Sequence, residues 1–136
     1  MKIFRNLIPA AAALALVSCT ESSPKEITVG KDQCENCKMT ITAPEYATQL
    51  ITSKGRVYIF DDISCMTMYE GSNPDKATAG KTYVADFPTG QFMEKDQATL
   101  IKGGEIRSPM GGNTQAFKDR SAAEAAAAAT GASIIN

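Results

Sequence analysis

The 136-residue chain predicts an α+β protein in which two related ββαβ-like halves pack as one compact domain. Three observations predict it. Strand-like runs flanking a Lys-Gly turn occur twice, around Lys54-Gly55 and around Lys102-Gly103-Gly104. Two similar strand-to-helix junctions follow, Phe60-Asp61-Asp62-Ile63-Ser64 and Phe117-Lys118-Asp119-Arg120-Ser121. The chain left after its leader is one small domain's worth.

The leader comes first. Met1-Lys2-Ile3-Phe4-Arg5-Asn6 is cationic, residues 7–17 are apolar apart from Pro9, and Leu16-Val17-Ser18-Cys19 closes the segment. A charged start, a short apolar stretch and small residues before a cut site describe an export signal over residues 1–18. It is too short to span a bilayer, which takes roughly 20 apolar residues. Leu-Val-Ser-Cys resembles a bacterial lipobox, so cleavage before Cys19 and its acylation are expected. An ordinary secretory signal with an incidental cysteine, or an uncleaved anchor, is the plainer alternative. Residues 19–31 then form a lipidated tether, polar over Thr20-Glu21-Ser22-Ser23-Pro24-Lys25-Glu26. The protein is expected to sit lipid-anchored on a bacterial membrane, facing the periplasm or the cell exterior. The domain fills residues 32–136, with halves at about 32–90 and 91–136.

In the first half, Ile27 and Val29 predict an extended lead-in, and the alternating residues 39–42 predict a strand. Residues 46–53 and 56–60 predict a hairpin. Asp61 or Asp62 caps a helix running to about Glu70, which Gly71-Ser72-Asn73-Pro74 stops. Residues 81–87 predict a strand and Pro88-Thr89-Gly90 a turn. In the second half, residues 99–101 and 105–107 predict a hairpin, and 113–117 a further strand. Ser121 and Glu124 have capping-box spacing, the alanine run to Ala129 favours helix, and Gly131 fits its stop. Residues 132–135 predict a last strand.

Chemistry concentrates in Cys34-Glu-Asn-Cys37-Lys-Met39, in a chain with no histidine. Thiolates and thioethers are soft donors that suit Cu(I). Residues two apart on a strand share a face, so Cys37 and Met39 reach one ion if the strand includes both, and Glu35-Asn36 must turn to bring in Cys34. A structural zinc site wants four ligands, and there is neither a second cysteine pair nor a histidine to supply them. A thioredoxin-like pair sits at a helix start, whereas this one precedes a predicted strand. With Cys19 acylated, three cysteines remain, an odd count that suits no disulfide framework. Met110, in the Ser108-Pro-Met-Gly-Gly loop, is either a further donor or a gap-filling side chain. Cys65, with Met66 and Met68, falls on the first predicted helix and reads as core, with an accessory copper site as the alternative. Asp61 and Asp62 are explained by the cap. Asp32 and Asp86 lack a marking partner. No nucleophile–base pair is evident, so an enzyme is not expected. A net charge of −1 without basic clusters argues against nucleic acid as a partner.

Several motifs coincide in order: the lipobox, Cys37-x-Met39, Phe60-Asp61-Asp62, Tyr83-Val-Ala-Asp-Phe87, Pro109-Met110-Gly111 and Ala116-Phe117 before an Ala/Glu-rich helix. Together they resemble the NosL family, copper-binding accessory lipoproteins of nitrous oxide reductase assembly, over about residues 32–133. The resemblance implies one bound Cu(I) and docking to an ABC-type copper-maturation complex that loads a copper enzyme such as nitrous oxide reductase. It carries Cys37, Met39 and Met110 over as ligands, with Cys34 at the leading position. The Cys65-Met66-Thr67-Met68 patch lies outside the family pattern. A membrane-tethered Cu(I) metallochaperone is therefore the leading expectation. The alternatives are a thiol–disulfide protein using Cys34 and Cys37, and a structural lipoprotein with inert sulfurs.

Overall fold

β-branched and aromatic residues form the first hairpin of the computed structural model, which describes residues 22–136. The expected leader and Cys19 lie outside the described residues. Strand β1 (Thr48–Ile51) pairs antiparallel with β2 (Val57–Phe60), the connection closing through Gly55 at φ +85°. Helix α1 (Ile63–Ser72) follows at once, and Pro74 restarts the chain as the single turn α2 (Pro74–Ala77). Strand β3 (Lys81–Ala85) returns to the other side of β1, and β4 (Phe92–Glu94) adds to its edge, giving the order β2-β1-β3-β4.

The second half repeats the plan. Strand β5 (Thr99–Lys102) pairs with β6 (Thr114–Phe117), helix α3 (Arg120–Thr130) follows, and β7 (Ser133–Ile134) closes the far side of β5. Its order, β6-β5-β7, matches β2-β1-β3: each half puts its first strand in the middle. The expected α+β fold with two ββαβ halves is what forms. The halves are joined through Asp86, whose Oδ1 accepts the Lys118 amide at 2.9 Å while the Phe87 amide donates to the Ala116 carbonyl at 2.8 Å. Val84, Ala98, Leu100 and Ala116 pack together, drawing side chains from both sheets.

Four local expectations are corrected. Residues 39–42 form no strand; only Thr40 bridges, to Gln33, because Lys38 at φ +64° breaks the extended run. Pro44 opens a 3-10 turn through Tyr46, so the strand expected from 46 begins at Thr48. Residues 105–107 are not strand; β5 pairs with β6 across a long loop whose base closes where the Gly103 amide meets the Asn113 carbonyl at 3.0 Å. Helix α3 is capped by Asp119 rather than Ser121, and Glu124 pairs with Arg120 at 3.1 Å instead of closing a capping box. The short strand β4 was not anticipated; with three residues it carries too little pattern to stand out.

Candidate metal centre

The cysteine turn is built by main-chain bonds. The Cys34 amide donates to the Met39 carbonyl at 2.9 Å, and the Lys38 amide to the Cys34 carbonyl at 2.9 Å. Lys38 takes up the left-handed conformation that lets so tight a reversal close. The turn is fastened to β2 where the Glu35 amide reaches the Ile59 carbonyl at 2.8 Å. Inside it the Cys37 amide points at Cys34 Sγ, 3.5 Å away, and the Met39 amide bonds to Cys37 Sγ in the sense that favours its thiolate. Both sulfurs are thus aimed by backbone dipoles, and Glu35-Asn36 makes the turn the spacing demanded.

The third sulfur comes from α1. Asp62, the N-cap, accepts the Ser64 and Cys65 amides at 3.0 and 3.2 Å. That fixes the first helical turn and leaves Cys65 fully buried beside the other two. The Sγ atoms of Cys34, Cys37 and Cys65 all lie within 4.8 Å of one another. Cys34 and Cys65 belong to a core with Leu50, Tyr58, Phe60, Met66 and Tyr69, against which Cys37, Ile63 and Met110 pack half-buried. Met110, from the second half of the chain, is therefore packed on the core that holds Cys34 and Cys65. Met39 is not gathered in: its side chain is 57% exposed, because the left-handed Lys38 removes the strand parity that would have aligned it with Cys37. Met68 is likewise on the surface. Cys65 is core, as the helical spacing suggested, but the same burial makes it the third corner of the sulfur triangle.

Electrostatics separates two possible uses of the thiols. Burial, together with the neighbouring Cys34, pushes the Cys37 and Cys65 thiols up from their ordinary value of 9.0. Cys65 lies in the first turn of α1, where the dipole favours a thiolate, yet desolvation outweighs it. A reactive redox thiol is shifted the other way. Three raised or buried thiols in contact suit a soft cation, which replaces protons without leaving bare thiolates in the core. Asp61 beside the cap is also buried; burial and the Asp62 charge raise its carboxyl, and its Oδ1 has no hydrogen-bond partner among the described residues.

Fold and sulfur cluster together define a small two-sheet α+β protein with a candidate thiol-rich metal centre between the cysteine turn and the first helix. A family model described as NosL matches residues 24–136. The chain belongs to the NosL family. The same fold occurs in the crystal structure of the copper chaperone NosL from Shewanella denitrificans, at a TM-score of 0.73 and 20% identity, over 85% of this chain and 92% of that one. A comparison with curated proteins returns no match.

Proposed function

We propose that this chain is a Cu(I) metallochaperone and not an enzyme. The observation that carries it is the triangle of Cys34, Cys37 and Cys65 sulfurs within 4.8 Å of one another, with Met110 packed on the same core. A trigonal ion with metal–sulfur bonds of about 2.3 Å needs sulfurs about 4 Å apart, so contraction by less than about 1 Å closes the site. Three thiolates and a thioether are donors for a soft monovalent ion, and no histidine or second cysteine pair completes a zinc tetrahedron. Met39, exposed two residues from Cys37, adds a thioether at the solvent side, where an incoming or departing ion exchanges ligands.

Acylated Cys19 tethers the protein to a bacterial membrane facing the periplasm or cell exterior. The family likeness supports hand-over to an ABC-type copper-maturation complex serving a copper enzyme such as nitrous oxide reductase. An anaerobic Cu(I) titration of the reduced protein, with Zn(II) in parallel, tests the central claim. One equivalent of Cu(I) is expected to be retained against a competing chelator while Zn(II) is displaced. Tighter retention of Zn(II) would overturn it. Mass spectrometry of the membrane-bound protein tests the anchor: an unlipidated amino terminus, or one that starts elsewhere than Cys19, ends that part.

A further inference from the structure

Asp62 is buried and directs both carboxylate oxygens at other parts of the chain. Oδ1 does the work of a helix cap, accepting the Ser64 and Cys65 amides. A cap requires no more than that. Oδ2 accepts three further donors from far along the sequence: Ser108 Oγ at 2.6 Å, the Met110 amide at 3.1 Å and the Gly112 amide at 3.1 Å. The loop they belong to is stiffened at its base, where the Asn113 amide donates to Ser108 Oγ at 2.7 Å and Asn113 Oδ1 accepts the Ser108 amide at 3.1 Å. Gly112 lets it come so near: a Cβ there would stand 3.1 Å from Asp62 Oδ2 and 3.2 Å from the Ser64 nitrogen. One carboxylate therefore ties the turn that carries Cys65 to the loop that carries Met110.

We infer that Asp62 is a positioning residue of the metal centre, its Oδ2 holding the 108–112 loop so that the Met110 thioether is presented to the thiols. This rests on Met110 being a copper donor, as proposed above. Methionine has three rotatable side-chain bonds and adapts to almost any gap. Its sulfur becomes a dependable ligand only if the main chain bearing it is fixed, and the bond from its own amide to Oδ2 fixes it. The arrangement is that of an outer-shell partner that orients a ligand without touching the ion.

Asp62→Asn separates the two oxygens' roles. Asparagine retains one acceptor and remains a good N-cap. At the Oδ2 position it places an NH2 group, which cannot accept the three donors. Cu(I) affinity by chelator competition and sulfur count by X-ray absorption are to be measured on the full chain for wild type, Asp62→Asn, Met110→Leu and the double variant. Leucine conserves volume and apolarity, so it removes only the donor sulfur. Each single change is expected to lower affinity by about 10- to 100-fold and to remove one sulfur scatterer. The double variant should be no weaker than the worse single one, because Asp62 acts through Met110. Additive losses, or intact affinity and sulfur count in Asp62→Asn beside a weakened Met110→Leu, would overturn the positioning role. Unchanged affinity in Met110→Leu would instead remove Met110 from the site, and the positioning role with it. If Asp62→Asn does not fold, Ser108→Ala deletes one Oδ2 donor and leaves the cap whole; its smaller loss should vanish in the Met110→Leu background, and a loss that persists there counts against the role.

Discussion

Whether Cys65 binds the ion or merely packs beside it is decided by counting protons. The thiols of Cys37 and Cys65 are both pushed above their ordinary 9.0, so each still carries its proton at neutral pH. An ion that binds both must expel both. Affinity then rises with pH by about tenfold per unit for each thiol deprotonated, so these two alone contribute about 100-fold per unit, or about 10,000-fold between roughly pH 6 and pH 8. Cys65→Ala removes one of them and leaves a void near the size of a sulfur atom in the core, costing about 1 kcal/mol of stability but no unsatisfied polar group. The pH dependence of its Cu(I) affinity should be shallower by one proton, about 100-fold weaker over the same interval. The assay is competition against a chromophoric Cu(I) chelator at several pH values, corrected for the chelator's own protonation. An identical slope in wild type and Cys65→Ala would refute the trithiolate site, since a residue that keeps its proton is no ligand.

The same shifts bear on the empty protein. Folded Cys37 and Cys65 hold protons that the unfolded chain surrenders above its ordinary thiol value of 9.0. Their contribution to stability is therefore whole below about pH 9 and declines progressively as pH rises from there towards the raised folded values; thermal melting of the reduced, metal-free protein that did not weaken from about pH 8 to pH 10 would contradict this. Asp61, raised by burial above 3.8, is most favourable below that value and loses that advantage as pH rises. Asp61→Asn should accordingly melt at or above wild type at neutral pH, and a clear fall would show that its charge has a partner. Asp119→Ala, which removes the observed cap of α3, should lower the melting temperature by a few degrees, whereas Glu124→Ala removes only an exposed pair and should not; equal effects would favour the capping box after all.

Much of the architecture was legible because it is local. The hairpin around Gly55, the Asp62 cap and the Gly131 stop each follow from chemistry within a few residues. The repeat was visible for the same reason: both junctions end a strand in phenylalanine and start a helix with aspartate. What sequence order hid was long-range. Cys65 read as a core residue, and it is one, but burial and convergence on Cys34 and Cys37 are not exclusive. The odd cysteine was the available signal. Asp62 read as a cap because one of its two oxygens is a cap; the other's bonds to Ser108, Met110 and Gly112 span 46 to 50 residues and leave no trace in any short window. The expected strand parity between Cys37 and Met39 failed for a local reason, since alternation at 39–42 cannot reveal that Lys38 turns left-handed.

The proposed sulfur donors lie at residues 34, 37, 65 and 110, so an ion shared among them would draw separated stretches of backbone to one point. Such an ion would act as a removable staple. Cargo that binds only the folded chain adds about 2.7 kcal/mol of stability once its free concentration exceeds the dissociation constant a hundredfold. A protease that cuts only opened chains then meets emptied carriers far more often than laden ones. The carrier's own lifetime becomes a readout of whether it still holds its ion.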